Sequence, residues 1–158
     1  MPNSCIPTRY SDFVIIKAIN PSDIKWNYPF NALAAQSKTI RTNTHFNILS
    51  SQNTVVINVD SSTTKLTTTP KTTTAGLIYT CVLEFVLEYV EDTMDAVNDI
   101  IADLQTPKHI FLSTINGAQS ALRLCDNVGY RFTHHEEDGE IKCSITIANL
   151  AGLQRITE

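Results

Sequence analysis

His134-His135-Glu136-Glu137-Asp138 is the densest set of metal-ligating and proton-transfer groups in the chain. Imidazoles and carboxylates this close could hold a divalent ion or pass a proton. Their setting argues otherwise. The run leads into Asp138-Gly139 between two alternating arms, and neighbouring side chains of a strand point to opposite faces, so the five cannot converge on one ion. A solvated hairpin turn is expected there, with no metal.

Asp95, Asp99 and Asp103 form the second candidate, a row at steps of four that lies along one face of a helix. Paired carboxylates can do acid and base work. Stacked like charges also cost a helix some stability unless a positive surface opposes them. The sharper reading is an interaction surface whose partner is the basic part of another copy, at Lys38, Arg41, Lys65 and Lys71, as in a head-to-tail ring contact. These seven residues are the expected subunit interface.

Little else invites catalysis. No Ser, Thr or Cys sits in a nucleophile elbow, and Cys125, beside Asp126, has no histidine near it in sequence. Gly76, Gly117, Gly129, Gly139 and Gly152 never form Gly-x-Gly, so a phosphate-cradling loop is missing. The expectation is a protein that is not an enzyme and takes no cofactor. Cys5, Cys81, Cys125 and Cys143 are far apart, without zinc-ligand spacing, and read as small buried hydrophobes in a reducing compartment. The first ten residues have neither the basic nor the apolar region of a leader, and no uncharged apolar run reaches transmembrane length. The chain is expected to stay in the cytosol unless an assembly carries it elsewhere, and to make no membrane contact.

The net charge of -4 hides a strong polarity. Residues 1–71 carry seven Lys/Arg and three Asp/Glu, whereas residues 72–107 carry Glu84, Glu88, Glu91, Asp92, Asp95, Asp99 and Asp103 and no Lys or Arg. An acidic balance without a cluster of cations and interleaved aromatics argues against sequence-specific nucleic-acid binding.

The elements that would position these groups are mostly strands, since the chain is rich in Thr, Ile, Val and Asn. Its 158 residues suit one domain, 1–158. Asp12 to Ile19 reads as a first strand stopped by Asn20-Pro21, and the rest of 1–38 as a packed connection in which 31–36 could form a helical turn. Residues 39–66 alternate, with Ile40, Thr42, Thr44 and Phe46 on one arm of a hairpin and Val55, Ile57 and Val59 on the other, joined by a bend at 50–53. The Thr-rich tract 61–74 reads as a linker or as an extended loop that orders against a neighbour. From Leu77 to Tyr89 apolar residues alternate without a miss, which favours a strand to Val90, while Leu83, Leu87, Val90, Met94, Val97, Ile101 and Leu104, at steps of four and three, would also suit one long helix over 76–105. A helix over 92–105 follows, with Asp92 or Thr93 as its N-cap and Thr106-Pro107 as its end. Asn116-Gly117 and Asp138-Gly139 then predict two hairpins with tight turns. The fold class is α+β, mainly antiparallel β: a β-sandwich or flattened barrel with one covering helix.

This order resembles the tail-tube and baseplate proteins of tailed bacteriophages over about residues 39–150. The likeness is carried by the early polar hairpin, the strand opening Ala75-Gly76-Leu-Ile-Tyr79, the lone helix to Leu104, the hairpin at Asn116-Gly117, and the closing strands from Gly129-Tyr-Arg-Phe132 to Ile147. It implies a structural virion subunit that forms rings with copies of itself, contacts other tail proteins, and is found in the virion and, during assembly, in the host cytoplasm. In that family sheets join around the ring and an acidic lumen repels phosphate. A rival resemblance is to the GNAT acetyltransferase fold, through Val14 to Asp23 and through Ile110-x-Leu112, Ala121-x-x-Leu124 and Gly129-Tyr130. There Ala118 and Cys125 replace the usual Asn and Tyr, and the glycine-rich loop for coenzyme A is absent, so cofactor binding has no visible anchor.

Overall fold

A computed structural model describes residues 8–28, 38–74, 76–88, 94–124 and 129–157. Thirteen strands and one α-helix occur among them. In chain order the strands are β1 (Thr8–Ser11), β2 (Phe13–Ile19), β3 (Ile24–Trp26), β4 (Thr39–Arg41), β5 (Phe46–Ile48), β6 (Val55–Asn58), β7 (Lys65–Thr73), β8 (Gly76–Glu88), β9 (His109–Thr114), β10 (Gln119–Leu122), β11 (Tyr130–Glu137), β12 (Glu140–Asn149) and β13 (Gln154–Thr157). The helix, α1, spans Met94–Leu104.

The strands form a five-stranded sheet ordered β1-β7-β8-β12-β11, a six-stranded sheet ordered β4-β13-β10-β9-β2-β6, and the ribbon β3-β5. The main core lies between the two large sheets. Strict alternation on β8 and β12 sends Cys81, Leu83, Phe85 and Leu87, and Ile141, Cys143, Ile145 and Ile147, to meet Ile16, Ala18, Ile110, Leu112 and Leu122. The six-stranded sheet is apolar on its other face too. There Ile19, Ile40, Phe111 and Ala121 form a second cluster with Ile24 and Phe46 of the ribbon. Two-sided burial explains why Ile110-Phe111-Leu112 is a continuous apolar run and not an alternating one. The fold is therefore the expected mainly antiparallel sandwich with a single helix.

Asp12 takes φ +71 between β1 and β2 and hands the chain from the five-stranded to the six-stranded sheet. The chain returns between β6 and β7 through a 3-10 turn at Ser61–Thr63, which Asp60 caps by accepting from the Ser62 N–H at 3.0 Å. α1 turns Val97 and Leu104 into the main core, with Ile100 and Ile101 packed beside them.

The Asp138-Gly139 turn has both residues at positive φ (+54 and +77), as a two-residue hairpin turn requires. The Asn116-Gly117 turn differs from expectation. Thr114 N–H donates to Ala118 O at 2.9 Å, leaving a three-residue loop in which Gly117 alone is left-handed, at +85.

Three other expectations need correction. The hairpin over residues 39–66 does not form: β4 pairs with β13, β5 with β3, and β6 with β2. Its first arm is cut by a turn over Thr42–His45, where Asn43 sits at φ +64. Second, the Thr-rich tract is a strand for most of its length, because β-branched threonine suits a pleated, half-buried surface. Among the described residues β1 pairs with Lys65–Thr68, so Pro70 has a described strand partner only in β8, at Tyr79. Third, the connection after Asn20 contains β3. The N-cap pair Asp92 and Thr93, the possible helical turn at 31–36, Cys5 and Cys125 lie outside the described residues.

Candidate functional site

α1 presents Asp95, Asp99 and Asp103 to solvent from one face, as its period predicts. The opposite face is buried, so the acids cannot turn inward. Alongside α1 lies β6, an outermost strand of the six-stranded sheet, whose only strand partner among the described residues is β2. Between them runs an open trough. One section, about 580 Å³, lies between Val56–Asp60 and Ala96, Val97 and Ile100. The next, about 440 Å³, shares Val56 and Ile100 and is walled by Thr54, Asp99 and Asp103. Helix residues thus pass β6 in reverse order, so the two elements run in opposite directions. The floor is apolar and the rim acidic, with Asp60, Glu140, Asp99 and Asp103. Hydrogen bonds from the Ser62 N–H and hydroxyl hold the Asp60 carboxyl below its ordinary pKa. Among the described residues one cation, Lys108, reaches the rim, but it is only 5% exposed and donates to Asn20 Oδ1.

The expected basic partners divide between the two sheets. Arg41 is exposed on β4, the other outermost strand of the six-stranded sheet. Lys65 and Lys71 are exposed on the outer side of β7 in the five-stranded sheet. Lys38 is engaged within the chain: its Nζ donates to Ala151 O at 2.9 Å and stacks 4.2 Å from the Tyr79 ring centre. The structure therefore does not bring these four cations into one patch. It adds Arg155 instead, exposed on β13 and opposite Thr39 of β4. The alternation Gln154-Arg155-Ile156-Thr157 carried that signal, with Gln154 buried and Arg155 exposed.

The His134–Asp138 cluster divides as strand alternation requires. His134 stacks on Phe132, ring centres 5.5 Å apart, while His135 and Glu137 face Lys142 on the other side. Glu137 pairs with Lys142 at 3.1 Å and with His135 at 3.4 Å, and all three are solvent-exposed. No group of three or more His, Cys, Asp or Glu able to hold a metal occurs among the described residues.

A histidine not expected to matter is the most perturbed. His109 is 5% exposed and receives the Leu124 N–H at Nδ1 (3.0 Å), with the Trp26 indole N–H 3.3 Å from Nε2. Burial, aided by the Arg123 guanidinium, lowers its pKa to about 3, so the ring is neutral. Arg123 lies over both Trp26 and Tyr28, at 4.5 and 4.8 Å. This stack fastens the ribbon to the six-stranded sheet. Cys81 and Cys143 are free and buried, their thiols pushed up to about 11 and about 12 by desolvation, so they are poor nucleophiles.

The chain matches no protein-family model, no curated protein and no solved structure. Ala121 and Leu122, part of the Ala121-x-x-Leu124 stretch that the GNAT resemblance likens to a helix, lie in strand β10 of a hairpin. No described helix is long and apolar enough to cross a membrane.

Proposed function

We propose that this chain is a structural virion subunit, of a phage tail tube or baseplate, that assembles into rings of identical copies. One observation carries the reading: among the described residues the six-stranded sheet runs from β6, flanked by the aspartates of α1, to β4, flanked by Arg41 and Arg155. An uncovered edge such as that of β6 among the described residues is an aggregation liability unless pairing completes it, whereas the Arg41 main chain of β4 is already bonded to Thr44 and His45. Opposite charge on the two edges favours head-to-tail over two-fold contact, and a head-to-tail contact that closes makes a ring. The element order from β8 through α1 to β12 supports the tail assignment. On this reading the partners are sister copies and other tail proteins, the working location is the virion after assembly in the host cytoplasm, and neither catalysis, sequence-specific nucleic-acid contact nor membrane contact is involved.

Negative-stain imaging and light scattering of the purified protein, concentrated at low ionic strength, test this. Rings or short tubes are expected, dispersing as salt rises toward 1 M, where the screening length falls to about 3 Å. A monomer at every concentration and salt level would overturn the proposal.

A further inference from the structure

We infer that the trough beside β6 is a docking groove for one extended strand of a different protein, in which cationic residues alternate with β-branched apolar ones. This rests on the reading of β6 as an edge completed in an assembly, and a closed ring is not required. Main-chain direction, side-chain parity and charge each constrain the occupant.

The Val59 N–H donates to Val14 O at 2.9 Å, and the register that sets Ile57 opposite Ile16 sets Val59 opposite Val14. Odd-numbered residues of β6 therefore exchange ladder bonds with β2, and the N–H and C=O groups of Val56 and Asn58 point the other way. Among the described residues no strand lies on that side. The turn bonds at the two ends of β6 run from Thr54 to Ser51 and from Thr63 to Asp60, so among the described residues they leave Val56 and Asn58 unengaged. The section of trough holding Asp99 and Asp103 is walled by Asn20 and by residues within 52–56 and 99–108, all of them described.

Ile57 belongs to the main core and Val55 packs against it. A strand added to β6 thus has one set of side chains over the trough, beside Val55 and Ile57, and the other on the outer face of the sheet, beside Val56. Val56 is 50% exposed, and a β-branched residue next to it forms an apolar cross-strand pair. A cation on that side would approach Lys17, which stands opposite Val56 and shares its face because Ile16 and Ala18 belong to the main core.

On the trough side the demand is reversed. Asp99 and Asp103 are four residues apart on α1, about 6 Å along its axis, while residues two apart in a strand are separated by about 6.8 Å. Two cations with one residue between them therefore meet the two aspartates, their aliphatic stems lying over Val55 and Ile100 and their heads at the rim. Asp60 and Glu140 continue the negative rim beyond them. A one-residue slip would aim both cations at the outer face, so parity and charge select the same register. No two Lys or Arg stand two apart anywhere in this chain, so a sister copy cannot supply the occupant.

The test is fluorescence anisotropy of the full chain with an end-blocked, fluorescein-labelled peptide, Thr-Lys-Val-Lys-Val-Thr, at protein concentrations below those at which rings form. Saturable binding is expected at low ionic strength, weakened at least roughly tenfold at 1 M salt, where the screening length is about 3 Å. The isomer Thr-Lys-Lys-Val-Val-Thr, equal in charge but without the alternation, should bind roughly tenfold more weakly, as should the first peptide to the chain carrying Asp99→Asn with Asp103→Asn. Val56→Pro removes an outward N–H, breaks no bond to β2 and leaves every acid in place. It should weaken binding by a similar factor with circular dichroism unchanged, and if it does not fold the isomeric peptide still decides. Equal binding of the two peptides would reduce the contact to bare attraction between charges and overturn the groove, as would no binding at low ionic strength. Rings seen by negative stain without peptide binding would remove the groove while self-assembly stands, and alternation-dependent binding without rings at any concentration would do the reverse.

Discussion

The Tyr130 hydroxyl donates a 2.8 Å hydrogen bond to the main-chain oxygen of Leu104, the last residue of α1. The helix ends in Gln105-Thr106-Pro107 without a glycine cap, so its final carbonyls need acceptable donors from elsewhere. A strand of the five-stranded sheet supplies one, and in doing so fixes where the acidic face of α1 stands relative to β6. Burial raises the Tyr130 pKa far above its ordinary value, so the hydroxyl remains a donor across the whole working range.

Tyr130→Phe should cost about 1 kcal/mol, lowering the melting temperature by about 2–4 °C for a chain of this size. Differential scanning calorimetry reads the loss. The variant should also assemble less well at low salt, because the helix aspartates are held less firmly. An unchanged melting temperature would mean that the helix end is satisfied without this bond.

Stability should fall as pH drops through the range set by His109. Its folded-state pKa, about 3, lies below the ordinary histidine value of 6.5, so the unfolded chain binds the extra proton first. The contribution is fully present above pH 6.5 and is lost progressively toward pH 3, amounting to about 2 kcal/mol at pH 5. Urea titrations at pH 7 and pH 5 should show a smaller difference for His109→Gln, whose amide oxygen can still accept from Leu124. Equal pH slopes for the two proteins would show that His109 is not the group responsible.

Gly129→Ala should be more damaging than its exposed position suggests. A methyl group there would stand 2.8 Å from the Cβ of Ala148 and 3.3 Å from its main-chain nitrogen, and the φ of +80 disfavours any L side chain. A loss of about 1–3 kcal/mol is expected from strain and crowding together. Restoring space with Ala148→Gly in the same chain should recover part of it, which chemical denaturation can measure.

Thiol labelling should distinguish the folded from the unfolded chain. Cys81 and Cys143 are buried and have raised pKa values, so a maleimide should modify them only slowly at pH 7 and rapidly in urea. Peptide mapping by mass spectrometry locates the modified residues. Rapid labelling of either in the native protein would contradict the core packing described for β8 and β12.

Zinc added to the protein should leave the melting temperature unchanged. His134 and His135 point to opposite faces of β11, and Glu137 is engaged by Lys142 and His135. A rise of several degrees would show that the exposed residues rearrange around an ion.

What the sequence disclosed was local. The Asp138-Gly139 turn, the alternation from Leu77 onward and the aspartates at steps of four each depend on neighbours a few residues away, and each took its expected form. What it withheld was long-range pairing. Ile40 gives no hint that its partner is Ile156, and the alternation of residues 39–46 is equally compatible with pairing to Val55–Val59, which the turn at Asn43 prevents. Threonine misled in another way. Its polarity suggested a loop over 61–74, whereas its branched side chain suits the outer positions of β7. The acidic half of the candidate surface was therefore legible. The basic half was only partly so, because Lys38 is recruited by Tyr79 and Ala151, and Arg155 reaches Arg41 only through folding.

The parallel bond between β4 and β13 has a temporal meaning. Residues 39–41 leave the ribosome long before residues 155–157, and until those arrive β4 has no neighbouring strand among the described residues to hold it extended. The border bearing Arg41 is thus completed only after residues 155–157 have been made. A polypeptide stopped before Gln154 would lack the strand that lies along β4, so a shortened chain should leave residues 39–41 open to proteolysis where the longer one protects them.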